Sequence, residues 1–304
     1  CKCRNRPDLC PMFARAAILI ALVALSARPA PEMAGLPYDL RRPDAVFTLP
    51  AELTEISALT DVDERTVACV QDEAATLYFV SVTDGSVLST VPFSGPADME
   101  GLTRVNGDYF ALRSDGLVHH LRMRARPAAL DVLDTFRLDV DNRNIEGLGF
   151  DPVTGNVLVS PKDFVKGDKE LRDERLLYAF DPRDATHKVR VALRLSVAAV
   201  VAQARAAGIA VPERTTPNGR VVPAVKLRLS SVAVHPATGH YYLLSAVDRL
   251  LLVVDRSARL VALEQLDAGL LPKPEGITFL PNGDLVLSSE GKGSAPVIAR
   301  YRSR

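Results

Sequence analysis

Acidic residues recur at a near-constant spacing along this chain of 304 residues. Glu55, Glu100, Glu146 and Glu275 each open a short run rich in leucine or β-branched residues, and Ser230 opens a fifth run of this kind. The intervals between successive members are 45, 46, 84 and 45 residues. Carboxylates that share one space bind a hard cation or hold protons, so the fold that gathers them decides their chemistry.

This repeat length is typical of a propeller. Short strands with a period of about 40–50 residues indicate a β-propeller in which each repeat forms one four-stranded blade. The third repeat predicts four strands in succession: EGLGF, NVLVS, ERLLYAF and VRVALRL. The last repeat supplies only three strands, and AVFTLP at 45–50 can complete it and close the ring. We therefore predict an all-β fold, a five-bladed β-propeller closed by an N-terminal strand. The alternative of six blades requires a degenerate repeat within the longest interval.

The longest interval contains a predicted insertion at about 196–229, between blades three and four. Ser196 precedes the run VAAVVAQARAAG, which ends at Gly208, and this arrangement predicts an N-capped helix with a C-terminal glycine. The stretch VPERTTPNGR that follows predicts a loop, and VVPAVKLRL predicts a strand. Because the insertion leaves the outermost strand of its blade, we expect it to emerge on the acidic face. There it should cover the channel mouth together with the segment 162–175.

Loops between second and third strands should lie on the same face as the openings of the first strands. In the predicted register these loops carry Asp72, Glu73, Asp115, Asp163, Asp248 and Glu290. Together with the four glutamates they predict a ring of acids whose repulsion a cation or protons must relieve. Ligands that are all oxygen suit calcium, whereas zinc would call for His or Cys in one of the two sets. The alternative is structural: single glutamates could fix blade packing, and Asp163 and Asp248 could be ordinary turn residues.

Composition and motifs exclude several other classes of function. The 37 basic and 37 acidic residues give zero net charge, so no overall field favours nucleic acid or an anionic membrane. The sequence contains no Gly-x-Ser-x-Gly elbow, P-loop, Rossmann fingerprint or His-Glu-x-x-His motif. His119 and His120 alternate to opposite faces of a predicted strand and so do not favour a shared metal. Cys69 lies in the apolar run TVACV and is expected to be a small buried side chain.

The N-terminal segment resembles a secretory signal. An apolar run at 16–27 follows Arg15 and precedes small residues, an order typical of a signal peptide with cleavage near Ala27 or Ala30. We therefore predict a signal peptide at 1–30, with a retained anchor as the alternative, and a single propeller domain at 38–304. Residues 1–11 precede Met12, where such a signal would naturally start, so we expect them to be either upstream sequence translated in error or a fragment boundary. The protein should then be exported to the periplasm or cell envelope, or secreted.

Several motifs resemble the SdiA-regulated domain family of YjiK-like proteins, which is related to NHL-repeat propellers. The motifs include LTEISAL, DMEGL, EGLGFDPVTG, VAVHPATGHYYLLS and KPEGITFLPNGDLVLSSEGKG, and the resemblance runs from about Tyr38 to Tyr301. It implies a five-bladed propeller with calcium in a central site, in a family that is mostly exported or envelope-associated. The implied metal ligands are Glu55, Glu100, Glu146, Glu275, Asp72, Glu73 and Asp115. The predicted pocket rim is Arg113, Lys162, Ser230 and Glu290, with Ser230 standing where a fifth acid could be.

Two functions remain open from the sequence. The first is a calcium-stabilised binding module for an unknown small molecule or protein, and we expect it to be a monomer with no nucleic-acid partner. Membrane attachment would come only from an uncleaved N-terminal segment. The second, by similarity to lactonase and phytase-like propellers, is a metal-dependent hydrolase of lactones, esters or phosphoesters. There Glu55, Glu146 and Glu275 would be metal ligands, with Asp72 or Glu290 as the general base.

Overall fold

The computed structural model describes residues 35–125, 128–140, 144–165, 167 and 169–304. The predicted signal segment and the residues before Met12 lie outside these ranges. Within the described residues, no helix has the length and apolar character needed to cross a bilayer.

Five antiparallel four-stranded sheets form the blades of a propeller. The first element of the described residues is strand β1 (Ala45–Thr48), followed by a 3-10 helix (Ala51–Leu53). Blade 1 contains β2 (Ile56–Asp61), β3 (Thr66–Gln71), β4 (Ala74–Ser81) and β5 (Val87–Pro96). Blade 2 contains β6 (Met99–Val105), β7 (Asp108–Arg113), β8 (Leu117–Ala125) and β9 (Ala128–Arg137). Blade 3 contains β10 (Ile145–Asp151), β11 (Asn156–Pro161), β12 (Glu174–Phe180) and β13 (Arg190–Ser196), with a second 3-10 helix at Glu170–Asp173.

The insertion and the last two blades complete the chain. The insertion contains helix α1 (Val197–Ala206) and the strands β14 (Glu213–Thr215) and β15 (Val221–Pro223). Blade 4 contains β16 (Leu229–Val234), β17 (Tyr241–Ser245), β18 (Leu250–Val254) and β19 (Leu260–Gln265). Blade 5 contains β20 (Pro274–Phe279), β21 (Leu285–Ser289) and β22 (Val297–Tyr301), and β1 completes it. The predicted five-bladed architecture is confirmed.

The N-terminal strand closes the ring as predicted. β1 pairs antiparallel with β22, from Ala45 opposite Arg300 to Thr48 opposite Val297. The first strand of each blade packs against the first strands of both neighbouring blades, so the five inner strands surround one axis. Residues from adjacent sheets form one apolar cluster at each of the five blade interfaces, and the core is therefore a ring of five interfaces. Cys69 is fully buried in one of them, as expected.

A β-bulge recurs at the start of every inner strand. In each first hairpin the pairing skips one residue after the first pair, for example between Ile145 and Gly147. In blades 2, 3 and 5 a glycine follows the bulge and lets two inner strands approach closely. A Cβ on Gly147 would overlap the Ser160 hydroxyl and lie 3.0 Å from the Ser231 Cα in the next blade. The Glu-Gly pairs of the sequence therefore combine a bulged acid with a position where a side chain does not fit.

The helix of the insertion packs into a blade interface. The predicted helix is confirmed, and the Ser196 hydroxyl accepts a hydrogen bond from the Ala199 amide as its N-cap. Val200, Val201 and Ala204 are buried in the apolar cluster between blades 3 and 4. The predicted loop VPERTTPNGR is corrected, because β14 and β15 pair as a hairpin around the turn that contains Gly219. The pattern was missed because both strands are only three residues long.

Candidate functional site

The bulged residues of the inner strands form a ring at one end of the central channel. The register places Ser57, Glu100, Glu146, Ser230 and Glu275 at equivalent positions. Glu55 does not belong to this ring, because the residue that pairs first in blade 1 is Ile56 and the bulged residue is Ser57. The predicted alignment of Glu55 with the other glutamates is therefore corrected by two residues. The ring holds three carboxyl groups and two hydroxyl groups.

Two of the three glutamates in the ring have lysine partners. Glu146 is only 2% exposed and forms an ion pair with Lys162 across the first hairpin of blade 3. Glu275 is 6% exposed, and its carboxylate lies 3.1 Å from the Lys273 ammonium, which also contacts Glu290 at 2.5 Å. Burial raises the pKa of Glu275 to about 7 although Lys273 acts in the opposite direction. Both interpretations therefore apply to these pairs. The buried glutamate has a structural role, and the ammonium group that it fixes at the mouth can have a functional one.

The serines of the ring have backbone partners. The Ser230 hydroxyl donates to the Pro274 carbonyl at 3.0 Å and so links blade 4 to blade 5. The Ser57 hydroxyl donates to the Glu55 carbonyl at 3.0 Å. Either serine would lose this bond by donating to a ligand, but its hydroxyl oxygen can still accept a hydrogen bond or bind a cation.

Four carboxyl groups form what we call the acid sector of the mouth: Glu55, Asp72, Asp98 and Glu100. Within the residues that the structure describes, none of the four forms an ion pair with a lysine or arginine. Burial, followed by the charge and hydrogen bond of Glu55, raises the pKa of Asp72 to about 7. Burial and the negative charges of Glu146 and Asp98 raise the pKa of Glu100 to about 9. Asp72 and Glu100 therefore hold protons near neutral pH, partly in the case of Asp72, unless a cation is bound.

Other predicted acids point to different partners. Asp115, in the loop between β7 and β8, pairs with Arg113 at 2.8 Å and with Arg137 at 3.1 Å. Glu73 is exposed, and its amide donates to the Gln71 side chain. Asp248 accepts hydrogen bonds from the Lys226 and Leu227 amides and the Ser245 hydroxyl.

Asp163 also has a partner outside the acid sector, since its carboxylate lies 3.1 Å from the Arg228 side chain. The contacts of Asp163 and Asp248 therefore agree with the structural alternative, because both residues hold the end of the insertion in place.

A cavity of about 220 Å³ opens beside the ring on the side of blades 3 to 5. Two paired acids, Glu146 and Glu275, lie in its wall. Its basic lining residues are Lys162, Arg228, Arg249, Lys273 and Lys292. We call it the basic cavity. Of the predicted rim residues, Lys162 lines this cavity and Glu290 contacts it through Lys273, whereas Arg113 is not part of its wall. The segment 162–175 and the insertion, which we expected to cover the mouth, each contribute one residue to this wall, Lys162 and Arg228.

The opposite end of the channel holds a second cavity of about 260 Å³, lined mainly by apolar ends of the inner strands. Its charged residues are Asp61 and Arg104. The Arg104 guanidinium donates to the Val62 carbonyl at 2.8 Å, and burial raises the pKa of Asp61. No residue that the sequence singled out lies in this wall. The two ends thus differ, with unbalanced charge concentrated at the acidic one.

The donor set of the acid sector suits calcium in its chemistry. All its ligands are oxygens, and the Asp72 Oδ1 atom is buried without a hydrogen-bond partner in the described protein. The side chains are not assembled around one point, since no group of three acidic, histidine or cysteine residues in the described ranges converges to hold an ion. A bound ion therefore requires side-chain rotation to gather its ligands.

Sequence reasoning missed several residues that the fold brings to this mouth. Asp98, Lys273 and Arg228 occupy the position that Glu55 occupies in blade 1, directly before the first paired residue of their inner strands. Lys273 could have been found, because it lies two residues before Glu275 in a repeat already identified. No sequence pattern identified Arg249, since it lies at the end of a turn in blade 4. Only the closure of the ring brings it to the mouth.

Comparisons with known proteins agree with this architecture. A family model described as SdiA-regulated matches residues 48–163 and 209–292, which together make up more than half of the chain. No curated protein sequence matches the chain. The glutaminyl cyclase of Myxococcus xanthus is similar in structure, with a TM-score of 0.55 and 13% identity, over 86% of this chain and 95% of that chain. A streptogramin B lyase aligns with a TM-score of 0.46 and 9% identity, over 86% of this chain and 97% of that chain. At these identities the first likeness concerns the fold alone, and the second carries no argument.

Proposed function

Because the chain belongs to the SdiA-regulated family, we propose that it is an exported calcium-binding propeller that recognises a small molecule or a protein at its acidic mouth. The observation that carries this proposal is the acid sector. Glu55, Asp72, Asp98 and Glu100 lie together at one end of the channel without a basic ion-pair partner among the described residues. A group of carboxyls that repel one another in partial burial is a favourable environment for a divalent cation.

Calcium fits this environment better than a more demanding ion. It accepts six to eight oxygen ligands with loose geometry, so rotated carboxylates and water can complete its coordination. Binding would displace the proton that Glu100 holds at neutral pH, because the ion would offset the repulsion between the Glu100 and Glu146 carboxylates that raises this pKa. The ion would supply a positive centre against which an anionic group of a ligand could rest. Asp72 and Glu100 would hold it, with Glu55 and Asp98 beside them.

Calcium titration of the purified, chelator-treated protein tests the proposal. Metal analysis should find bound calcium, and isothermal titration should show uptake that weakens at least tenfold in Asp72→Asn. Asp63→Asn is the matched control, because Asp63 is exposed on the turn between β2 and β3. Absence of calcium uptake, or equal affinity in the two variants, would contradict the assignment.

A metal-dependent hydrolase is a second candidate, and one observation favours it. The pKa of Asp72 is raised to about 7 by burial and by Glu55, so this carboxyl can accept or release a proton near neutral pH. Glu290, the other candidate base, is held by Lys273. A panel of lactones, carboxylic esters and phosphoesters should distinguish the candidates. Turnover that disappears in Asp72→Asn would favour the enzyme, and bound calcium without turnover would favour the binding module.

The location and assembly of the protein are part of the proposal. The basic and apolar order at 15–27 supports export to the periplasm or cell envelope, or secretion, with membrane attachment only if this segment is retained. The closed ring pairs both chain-terminal strands, β1 and β22, so completion of the fold needs no second copy, and we propose a monomer. Fractionation of cells would test whether the protein is exported. N-terminal sequencing of the mature protein would test whether the segment at 15–27 is retained.

A further inference from the structure

The basic cavity carries more positive charge than its surroundings balance. It is lined by five basic side chains and two carboxylates. With Asp163 beside Arg228 and Glu290 beside Lys273 also counted, the excess is one positive charge. Both carboxylates are buried at 2% and 6% exposure, whereas the side chains of Lys162 and Lys273 keep 28% and 34% of their surface exposed. The glutamates therefore lie behind the lysines, and the ammonium groups face the open side. Fixed partners of this kind hold the lysines in place for a ligand.

Two further cations have no protein partner to balance them. Within the described residues, neither Arg249 nor Lys292 forms an ion pair, and the Nε of Arg249 is buried without a hydrogen-bond partner. A buried guanidinium nitrogen without an acceptor is costly, so an acceptor from outside the chain would be favourable there.

The backbone fixes where Arg249 stands. Arg249 has a positive φ of 50° at the end of the turn between β17 and β18. Its amide donates to the Ala246 carbonyl, and its own carbonyl accepts hydrogen bonds from the Leu266 amide and the Gln265 side chain. The guanidinium is thus carried into the cavity wall by a tightly bonded turn and not by a mobile loop.

The size of the cavity limits what it can hold. About 220 Å³ is below the range of pockets that enclose drug-sized ligands, which is roughly 300–1,000 Å³. Ala246, Val247 and Pro272 add a small apolar surface to the wall. A compact head group with one or two negative charges, carried on a small apolar stem, matches both the volume and the lining.

We propose that the basic cavity binds the carboxylate or phosphate head group of a small ligand, with Arg249 and Lys292 as its primary contacts and Lys162 and Lys273 beside them. The assignment rests on the proposed function, since it names the class of ligand that the binding module recognises. Arg guanidinium groups bind both head groups in a bidentate manner, and lysines bind them as point charges. The acid sector lies across the same mouth, so a cation bound there and an anion bound here would attract each other.

Titration of the full chain with inorganic phosphate and with succinate, at constant ionic strength, tests this inference. We expect saturable binding of at least one of the two, and the stronger binder identifies the head group. Arg249→Gln should weaken binding at least tenfold, and Lys292→Gln about threefold. Arg65→Gln, an exposed arginine on the turn between β2 and β3, should bind as the unmodified protein does. If Arg249→Gln does not fold, Lys292→Gln alone decides, because Lys292 is exposed on a loop.

A parallel calcium titration separates the two proposals. Anion binding that Arg249→Gln reduces, with calcium binding unchanged, supports the cavity assignment. Calcium binding without any anion binding overturns the cavity assignment and leaves the calcium site intact. Anion binding without calcium binding overturns the calcium site only. Equal anion affinity in Arg249→Gln and Arg65→Gln would mean that the anion binds non-specifically, which also overturns the assignment.

Discussion

Replacing Glu100 with glutamine should stabilise the protein at neutral and alkaline pH when no calcium is present. The pKa of Glu100 is raised from 4.5 to about 9, first by burial and then by the charges of Glu146, Asp98 and Glu275. Between these two values the folded protein keeps a proton that the unfolded chain releases. Stability therefore falls as pH rises from 4.5 to about 9, and glutamine removes this loss because it does not titrate.

The magnitude follows from the size of the shift. At pH 7 the gap to the unfolded pKa of 4.5 corresponds to about 3 kcal/mol, at 1.36 kcal/mol per unit. Partial solvent access to the carboxyl reduces this value, so we expect a gain of about 1–3 kcal/mol at pH 7. For a domain of this size that is a rise of roughly 2–10 °C in Tm. The gain should be small at pH 5 and largest above pH 9.

Thermal and urea denaturation at pH 5, 7 and 9 in a chelating buffer would measure the effect. Glu64→Gln is the matched control, because Glu64 is exposed on the turn between β2 and β3. Added calcium should stabilise the unmodified protein more than Glu100→Gln, since the variant lacks one of the carboxylates that the ion would bind. The reasoning would be refuted if Glu100→Gln were no more stable than Glu64→Gln at pH 9 without calcium.

Three further perturbations test the framework around the site. Lys162→Met should cost about 3 kcal/mol at pH 8 because it leaves the buried Glu146 carboxylate without its partner, and less at lower pH, because burial raises the pKa of Glu146 and a neutral carboxyl needs no ammonium partner. Urea denaturation at pH 8 and pH 5 measures this difference. Gly147→Ala should lower Tm strongly or prevent folding, because its Cβ would overlap the Ser160 hydroxyl, whereas Gly95→Ala, with open space around it, should fold normally by circular dichroism. Val200→Ala should destabilise the protein by about 2 kcal/mol without altering calcium affinity, since the helix fills a blade interface. A change in calcium affinity with unchanged stability would instead favour the prediction that the insertion covers the channel mouth.

Local patterns were enough to identify the elements. The period of the strand openings predicted the blades, and three strands in the last repeat with AVFTLP at the other end predicted the closure that β1 and β22 show. The cap at Ser196 predicted helix α1. These features depend on residues close in sequence, whose turn, cap and pairing preferences are largely set by their own types.

The site was only partly accessible by such reasoning. A bulge adds one residue to each inner strand, so spacing alone could not show that Ser57, and not Glu55, is equivalent to Glu100. Which acids are paired depended on side-chain positions around the ring, and Glu146 and Glu275 gained lysines while Asp72 and Glu100 did not.

The sequence by itself determined that this protein has five short-stranded repeats, an N-terminal strand to complete the last one, and acids at the openings of its strands. Only the tertiary structure decided that the mouth has an acid sector on blades 1 and 2 and a basic cavity on blades 3 to 5. The physical reason is ring closure, which brings Arg249 and Lys162 into one wall although 86 residues separate them. Charge balance at the mouth is a property of that shared space, because Coulomb energy depends on distance and burial and not on position along the chain.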